Sequence, residues 1–199
     1  MKFFYLMLLM VAVLNYNCNN DNQAAATPTS NTITNAQTEA KAEDPLKKLI
    51  EEKEKKTEEL KKLTPYNPDE LKKLLPPEID GMKQKNLDAH SALGFAQATC
   101  TYKKDSVAID MNVYDCAGEI GASQYGLNYW AKLSVPEQNE NGYTKTIDFN
   151  GSKAVEMLDK NNNQVSLRFM ASNRLLVMLS GKNITADELK TQAQKLNFK

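Results

Sequence analysis

The sequence predicts an α+β domain: a single antiparallel sheet of about six strands with helices packed on it, preceded by a charged helix and a disordered tether. Three observations predict it. Val107, Ile109, Met111 and Val113 alternate with Ala108, Asp110, Asn112 and Tyr114, the pattern of a half-buried strand. Residues 143–179 break into four strand-like runs divided by Asn- and Gly-bearing turns. Helical patterns over 122–133 and 186–196 bracket those runs.

The chain opens with Lys2 and the unbroken apolar run FFYLMLLMVAVL at residues 3–14. Such a run is too short to span a bilayer as a helix and suits the core of an export signal, so residues 1–17 are expected to be a signal peptide. The stretch LNYNC at residues 14–18 resembles the bacterial lipoprotein signal, in which a Leu-rich run leads to a lipid-modified cysteine. The resemblance implies that Cys18 carries a diacylglyceryl thioether and becomes the new N-terminus, often acylated again. Asn17 stands where Gly or Ala is usual, Tyr16 is bulky, and Leu14 lies one position further upstream than the pattern places it. The rival cleavage point follows the small run Ala24, Ala25 and Ala26. Each buried methylene contributes about 0.8 kcal/mol, so two or three acyl chains suffice as an anchor.

Residues 18–44 are rich in Asn, Gln, Thr, Ala and Ser, with Ile33 the only large aliphatic. They offer too little apolar area to offset ordering entropy and read as a flexible tether. Residues 45–76 hold two helices. Pro45 suits a first helical position behind the cap Asp44, and Glu51/Lys55, Glu52/Lys56 and Glu58/Lys62 are spaced as i,i+4 ion pairs. Leu46, Lys53 and Leu60, with Leu49, Lys56 and Leu63, echo a heptad, but two lysines in the seam favour a solvated spacer over a coiled coil. A short helix follows behind Asn67, with Leu71, Leu74 and Leu75 on one apolar face.

Residues 77–199 form the α+β domain. Residues 95–103 pair with the alternating strand through a turn at Lys104 and Asp105, and LDAHSALG at 87–94 reads as polar loop. The helix over 122–133 turns Ala122, Tyr129, Trp130 and Leu133 inward, with Gly126 allowing a close approach to the sheet. Residues 136–141 read as a loop. The run 174–179 is apolar on both faces, which places it centrally and covered on both sides. Thr185 and Glu188 announce the last helix, which buries Leu189, Ala193 and Leu196. This order of elements resembles the small envelope lipoprotein domains of the PsbP-like α/β sandwich type. That resemblance implies partner binding or membrane assembly without an active site, and it assigns no functional residue.

Composition narrows the function classes. Lys plus Arg equals Asp plus Glu at 25 each, and no basic stripe interleaves with aromatics, so nucleic acid is not an expected partner. The mean hydropathy of −0.56 reflects the polar tether and helix. His90 is the only histidine and stands in LDAHSALG, away from any nucleophile motif, so no catalytic residue is assigned. One histidine and two separated cysteines cannot make a zinc site. Asp159, Asn161 and Asn163 imitate half of a calcium loop, but Gln164 and Met170 replace its glycine and glutamate; this is a hairpin turn. No metal or cofactor is expected. If a ligand patch exists, Tyr114, Asp115 and Tyr125 around the strand-to-helix connection are its candidates. Cys100 and Cys116 lie on opposite faces by parity and are expected to stay free thiols. The expected function is a non-catalytic binding or assembly module lipid-anchored in the cell envelope. Its partners are the membrane and another envelope protein; the alternatives are an envelope hydrolase and a coiled-coil spacer.

Overall fold

A nine-stranded sheet dominates the computed structural model, which describes residues 45–133 and 136–198. The stretches expected to be a signal peptide and a tether, with Cys18 between them, lie outside the described residues. The strands are β1 (Glu78–Ile79), β2 (Met82–Ala92), β3 (Phe95–Lys104), β4 (Val107–Asp115), β5 (Glu137–Asn139), β6 (Gly142–Phe149), β7 (Ser152–Asp159), β8 (Gln164–Ala171) and β9 (Leu175–Lys182). Every pairing is antiparallel, and the order is β1-β2-β3-β4-β9-β8-β7-β6-β5. Two meanders therefore meet along β4 and β9.

The sheet has more strands than the sequence pattern predicts, for a physical reason. β2 runs through the stretch read as loop, yet most of its side chains are exposed and carry no alternation. Its backbone ladder to β3, broken by a bulge between Lys85 and Asp88, holds it instead. His90 accordingly sits on a strand, not in a loop. β1 and β5 are two and three residues long, and β5 is wholly exposed. Short polar edges of this kind resist pairing with other chains.

β9 occupies the centre of the sheet. Leu175, Val177 and Leu179 pack into one face, while Leu176 and Met178 join the apolar cluster of the other. The β3–β4 turn falls at Asp105 and Ser106, one residue later than the spacing suggested, with Asp105 at φ 52°. Cys100 therefore opposes Met111 rather than Ile109. The parity argument survives the slip: Cys100 lies in the first-face core and Cys116 in the second-face cluster, both buried and free.

Helices lie on both faces. α2 (Pro68–Leu74) and α5 (Ala186–Gln194) cover the first, burying Leu71, Leu75, Leu189 and Ala193. Both start with reciprocal capping boxes, Asn67 with Glu70 and Thr185 with Glu188. The second face is covered at one end only, by α1 (Pro45–Lys61), α3 (Gly118–Gln124), a π-helical continuation over Tyr125–Trp130 and the short α4 (Ala131–Leu133). Gly121, not Gly126, provides the close approach. A β-carbon at Gly121 would stand 2.7 Å from the Asp115 carbonyl oxygen, whereas nothing lies within 4 Å of one at Gly126.

α1 is docked rather than free. Lys53, Lys56, Thr57, Leu60 and Lys61 form its less exposed stripe, and Leu60 is 0% exposed. The Lys53 ammonium sits 4.7 Å from the centre of the Trp130 ring. With two lysines turned to the domain, the ion pairs formed are Lys47–Glu51, Lys56–Glu59 and Lys61–Glu58, not the i,i+4 set read from spacing. Among the described residues no helix is long and apolar enough to cross a membrane.

Candidate functional site

The three residues of the expected patch do different jobs. Asp115 ends β4 with its carboxylate fully buried, and every strong donor around it is engaged. Arg174 donates from Nε at 2.9 Å and from Nη2 at 2.6 Å, the Tyr66 amide at 2.7 Å and the Ala117 amide at 3.1 Å. Arg174 also donates to the Thr64 carbonyl at 2.8 Å and lies 3.7 Å over the Tyr66 ring. The result is a latch that fastens the α1–α2 connection to the sheet, with no lone pair left for a ligand. Tyr125 is buried beneath α1, its ring 5.6 Å from Tyr129. Tyr114 is half-buried against the second-face cluster: its ring lies tilted 5.4 Å from Phe95, and its hydroxyl accepts from Asn112 Nδ2 at 3.0 Å.

Beyond Tyr114 the second face is uncovered, and the ladder defines what lies on it. One transverse row runs Thr99, Asn112, Met178, Arg168, Val155; the next runs Thr101, Asp110, Ser180, Ser166, Met157. Hydroxyls, amides and methionines replace the aliphatics of the opposite face. A cavity of about 350 Å³ opens here, lined by Asp110, Asn112, Met157, Gln164, Ser166, Arg168, Met178 and Ser180. A smaller hollow of about 230 Å³ shares Met157, Gln164 and Ser166 and leads to Glu137 and Asp159 near the β5 edge.

Two groups in the cavity are incompletely paired. Arg168 donates from Nη1 to the Asn128 carbonyl at 3.3 Å, but its buried Nε has no hydrogen-bond partner among the described residues. No carboxylate among them forms an ion pair with it, and burial pulls its pKa down. Asn112 has its Nδ2 engaged by Tyr114, which leaves Oδ1 buried and unpaired. Unpaired buried polar atoms cost about 1–3 kcal/mol each and are rare in folded proteins. A guanidinium with no ion pair beside a polar cavity has the chemistry to receive an anionic group.

Other reactive groups are placed unfavourably for chemistry. Burial pushes the Cys116 thiol up to about 12 and raises that of Cys100, so neither is a thiolate near neutrality. His90 is more than half exposed, its Nδ1 3.8 Å from Asp88 Oδ2. Glu156 is buried on the first face, but Tyr143, Lys145 and Lys190 surround it as a structural knot. No group of three His, Cys, Asp or Glu residues that could hold a metal occurs among the described residues.

Sequence reasoning missed Arg168 and Asn112. The signal was present in β8, where Val165, Leu167 and Phe169 face the core and Arg168 stands on the alternate face of a central strand. Its significance depends on which strands flank it, and no local pattern encodes that β4 and β8 both border β9. The chain matches no protein-family model, no curated protein and no solved structure.

Proposed function

We propose that this chain is a non-catalytic binding module of the cell envelope, tethered to the membrane by lipid on Cys18, with the uncovered half of the sheet as its binding face. The observation that carries the binding reading is the cavity on the uncovered half of the sheet, whose lining includes Arg168, a guanidinium with one long hydrogen bond and no ion pair among the described residues. Its volume lies near the lower end of ordinary ligand sites, which favours a small molecule over a polymer. The buried neutral thiols and the exposed histidine favour binding over catalysis. The docking of α1 through Leu60 favours a module over a coiled-coil spacer.

The binding reading is tested by exposing the full-length chain to the small-molecule fraction of an envelope extract and identifying what is retained by mass spectrometry. Wild type should retain a species that Ser166→Trp, which fills the cavity, does not. Identical retention by both proteins would overturn it. The anchor rests on the apolar run and the LNYNC stretch. Cys18→Ser should abolish incorporation of labelled fatty acid and release the protein from membranes. Membrane partition unchanged by that substitution, with no label in wild type, would refute the anchor.

A further inference from the structure

We propose that the tip of the β2–β3 hairpin, Leu93 with Ile120 and Leu63 beside it, inserts into the acyl region of the bilayer that carries the anchor. The proposal rests on the lipid-anchor reading above and adds a second, non-covalent membrane contact.

Leu93 breaks the turn chemistry that the rest of the chain keeps. Ala92 pairs with Phe95, so Leu93 and Gly94 are the two central residues of the turn, at φ 52° and 77°. Two other hairpins turn in the same way, over Asp80–Gly81 and Asn150–Gly151, with positive φ at both central residues. Those turns carry the Asp and Asn that tolerate the left-handed region, whereas a leucine is strained there. Leu93 gains nothing in return from its own chain, because it is 93% exposed. Strain and apolar exposure at one residue mark a site shaped by something outside the fold.

Two further segments meet the turn. A β-carbon at Gly118 would stand 3.2 Å from the Pro65 ring and 3.6 Å from the Gly94 carbonyl oxygen, so the start of α3 and the α1–α2 connection border the hairpin tip. Each brings an exposed aliphatic residue within two positions of that contact, Ile120 and Leu63.

The occupant is a bilayer for two reasons. An aliphatic knob with almost no contact to its own chain needs a matching pocket in a protein partner, whereas acyl chains receive it whatever its shape. The length of chain outside the domain also permits it: 26 residues, 19–44, separate Cys18 from Pro45. They can extend to about 90 Å at most, against about 25 Å for α1, so an anchored chain can bring the far end of α1 and the hairpin beside it back to the lipid. One such tip is too small to hold an unanchored chain, and Cys18→Ser still releases the protein; the anchor makes the second contact intramolecular.

The wild-type chain, purified from membranes, is reconstituted in phosphatidylethanolamine–phosphatidylglycerol vesicles whose acyl chains carry a diazirine, and lipid adducts are mapped by mass spectrometry after irradiation. Adducts should fall within residues 91–95, with further ones at 118–122. Leu93→Asn should lower their yield by about fivefold or more, in line with the burial of one leucine. Its thermal midpoint should hold or rise, since Asn suits the turn better. No adduct at the tip, adducts spread evenly over the exposed surface, or a yield unchanged in Leu93→Asn would overturn the proposal. So would a lowered midpoint, which would give Leu93 a role in the fold. If Cys18 carries fatty acid and the tip is bare, the anchor stands and the tip contact falls; if Cys18 carries none, both fall. Protection of the tip in native membranes without adducts in the vesicles would assign it to a protein partner and overturn the bilayer.

Discussion

Removing the charge of Asp115 should be among the most damaging single changes in the domain. The carboxylate is 0% exposed and accepts four hydrogen bonds, two from Arg174 and two from the amides of Tyr66 and Ala117. Asp115→Asn keeps the shape but turns one acceptor into a donor that faces other donors. Breaking one side of a buried pair costs about 3–5 kcal/mol, because the partner is left charged and unpaired. For a unit of this size each kcal/mol moves the midpoint by about 2–4 °C, so thermal unfolding by circular dichroism should shift down by about 6–20 °C. The effect should also be local. Released from the latch, the connection between α1 and α2 should gain a tryptic cleavage, at Lys61 or Lys62, that wild type lacks. A cycle adding Arg174→Gln should show the double variant losing less than the two singles together. A loss below about 1 kcal/mol for Asp115→Asn, or simple additivity, would refute the latch.

Three further outcomes follow from the packing. Leu60→Ala removes the fully buried anchor of α1 and should cost about 2–5 kcal/mol, with amide exchange rising first across Lys53 to Lys61. Exchange unchanged in α1 would mean that the helix is held by something else. Burial raises the Glu156 carboxyl, but hydrogen bonds from Lys145, Tyr143 and Lys190 overcome it, so it ends below its ordinary 4.5. A depressed folded value stabilises above the unfolded one, so the stability gap between wild type and Glu156→Gln should be full above about pH 4.5 and close as pH falls further. A gap independent of pH would contradict that. Cys100 and Cys116 should react with iodoacetamide only after unfolding, and no linked peptide should appear in unreduced digests.

Much of the fold was legible because local signals and tertiary demands agree there. The central run around Leu176 is apolar at successive positions, and only a strand covered on both faces satisfies it. The capping box at Thr185 and the inward face of Leu189 and Ala193 are likewise set within a few residues of chain. What was not legible depends on distant partners. β2 carries no hydrophobic alternation, because backbone bonds to β3 hold it at the margin of the sheet. The turn slipped by one residue because Asp105 takes the left-handed conformation with Ser106 beside it, and both adjoining dipeptides look polar. The three residues read as a possible patch, Tyr114, Asp115 and Tyr125, fall in different environments that no local pattern distinguishes. Asp115 turns away into the core, and Tyr125 is covered by α1.

Two arginines separate structural from functional charge in this domain. Arg168 on β8 and Arg174 in the turn before β9 are both partly buried, so neither burial nor residue type distinguishes them. Their partners do. Arg174 meets a carboxylate in a two-pronged contact, a carbonyl and an aromatic ring, and Asp115 is satisfied in return. Folding alone explains that arrangement, since every donor and acceptor is used within the chain. Arg168 has one long contact to a carbonyl, a buried Nε with no partner, and a place in the lining of a polar cavity. A sheet face needing only stability would place Leu or Val at that position, as β8 does at Val165 and Leu167 on the other face. Among these two, Arg168 is the charge whose desolvation the described residues leave unmatched, and the proposed binding face is drawn around it for that reason.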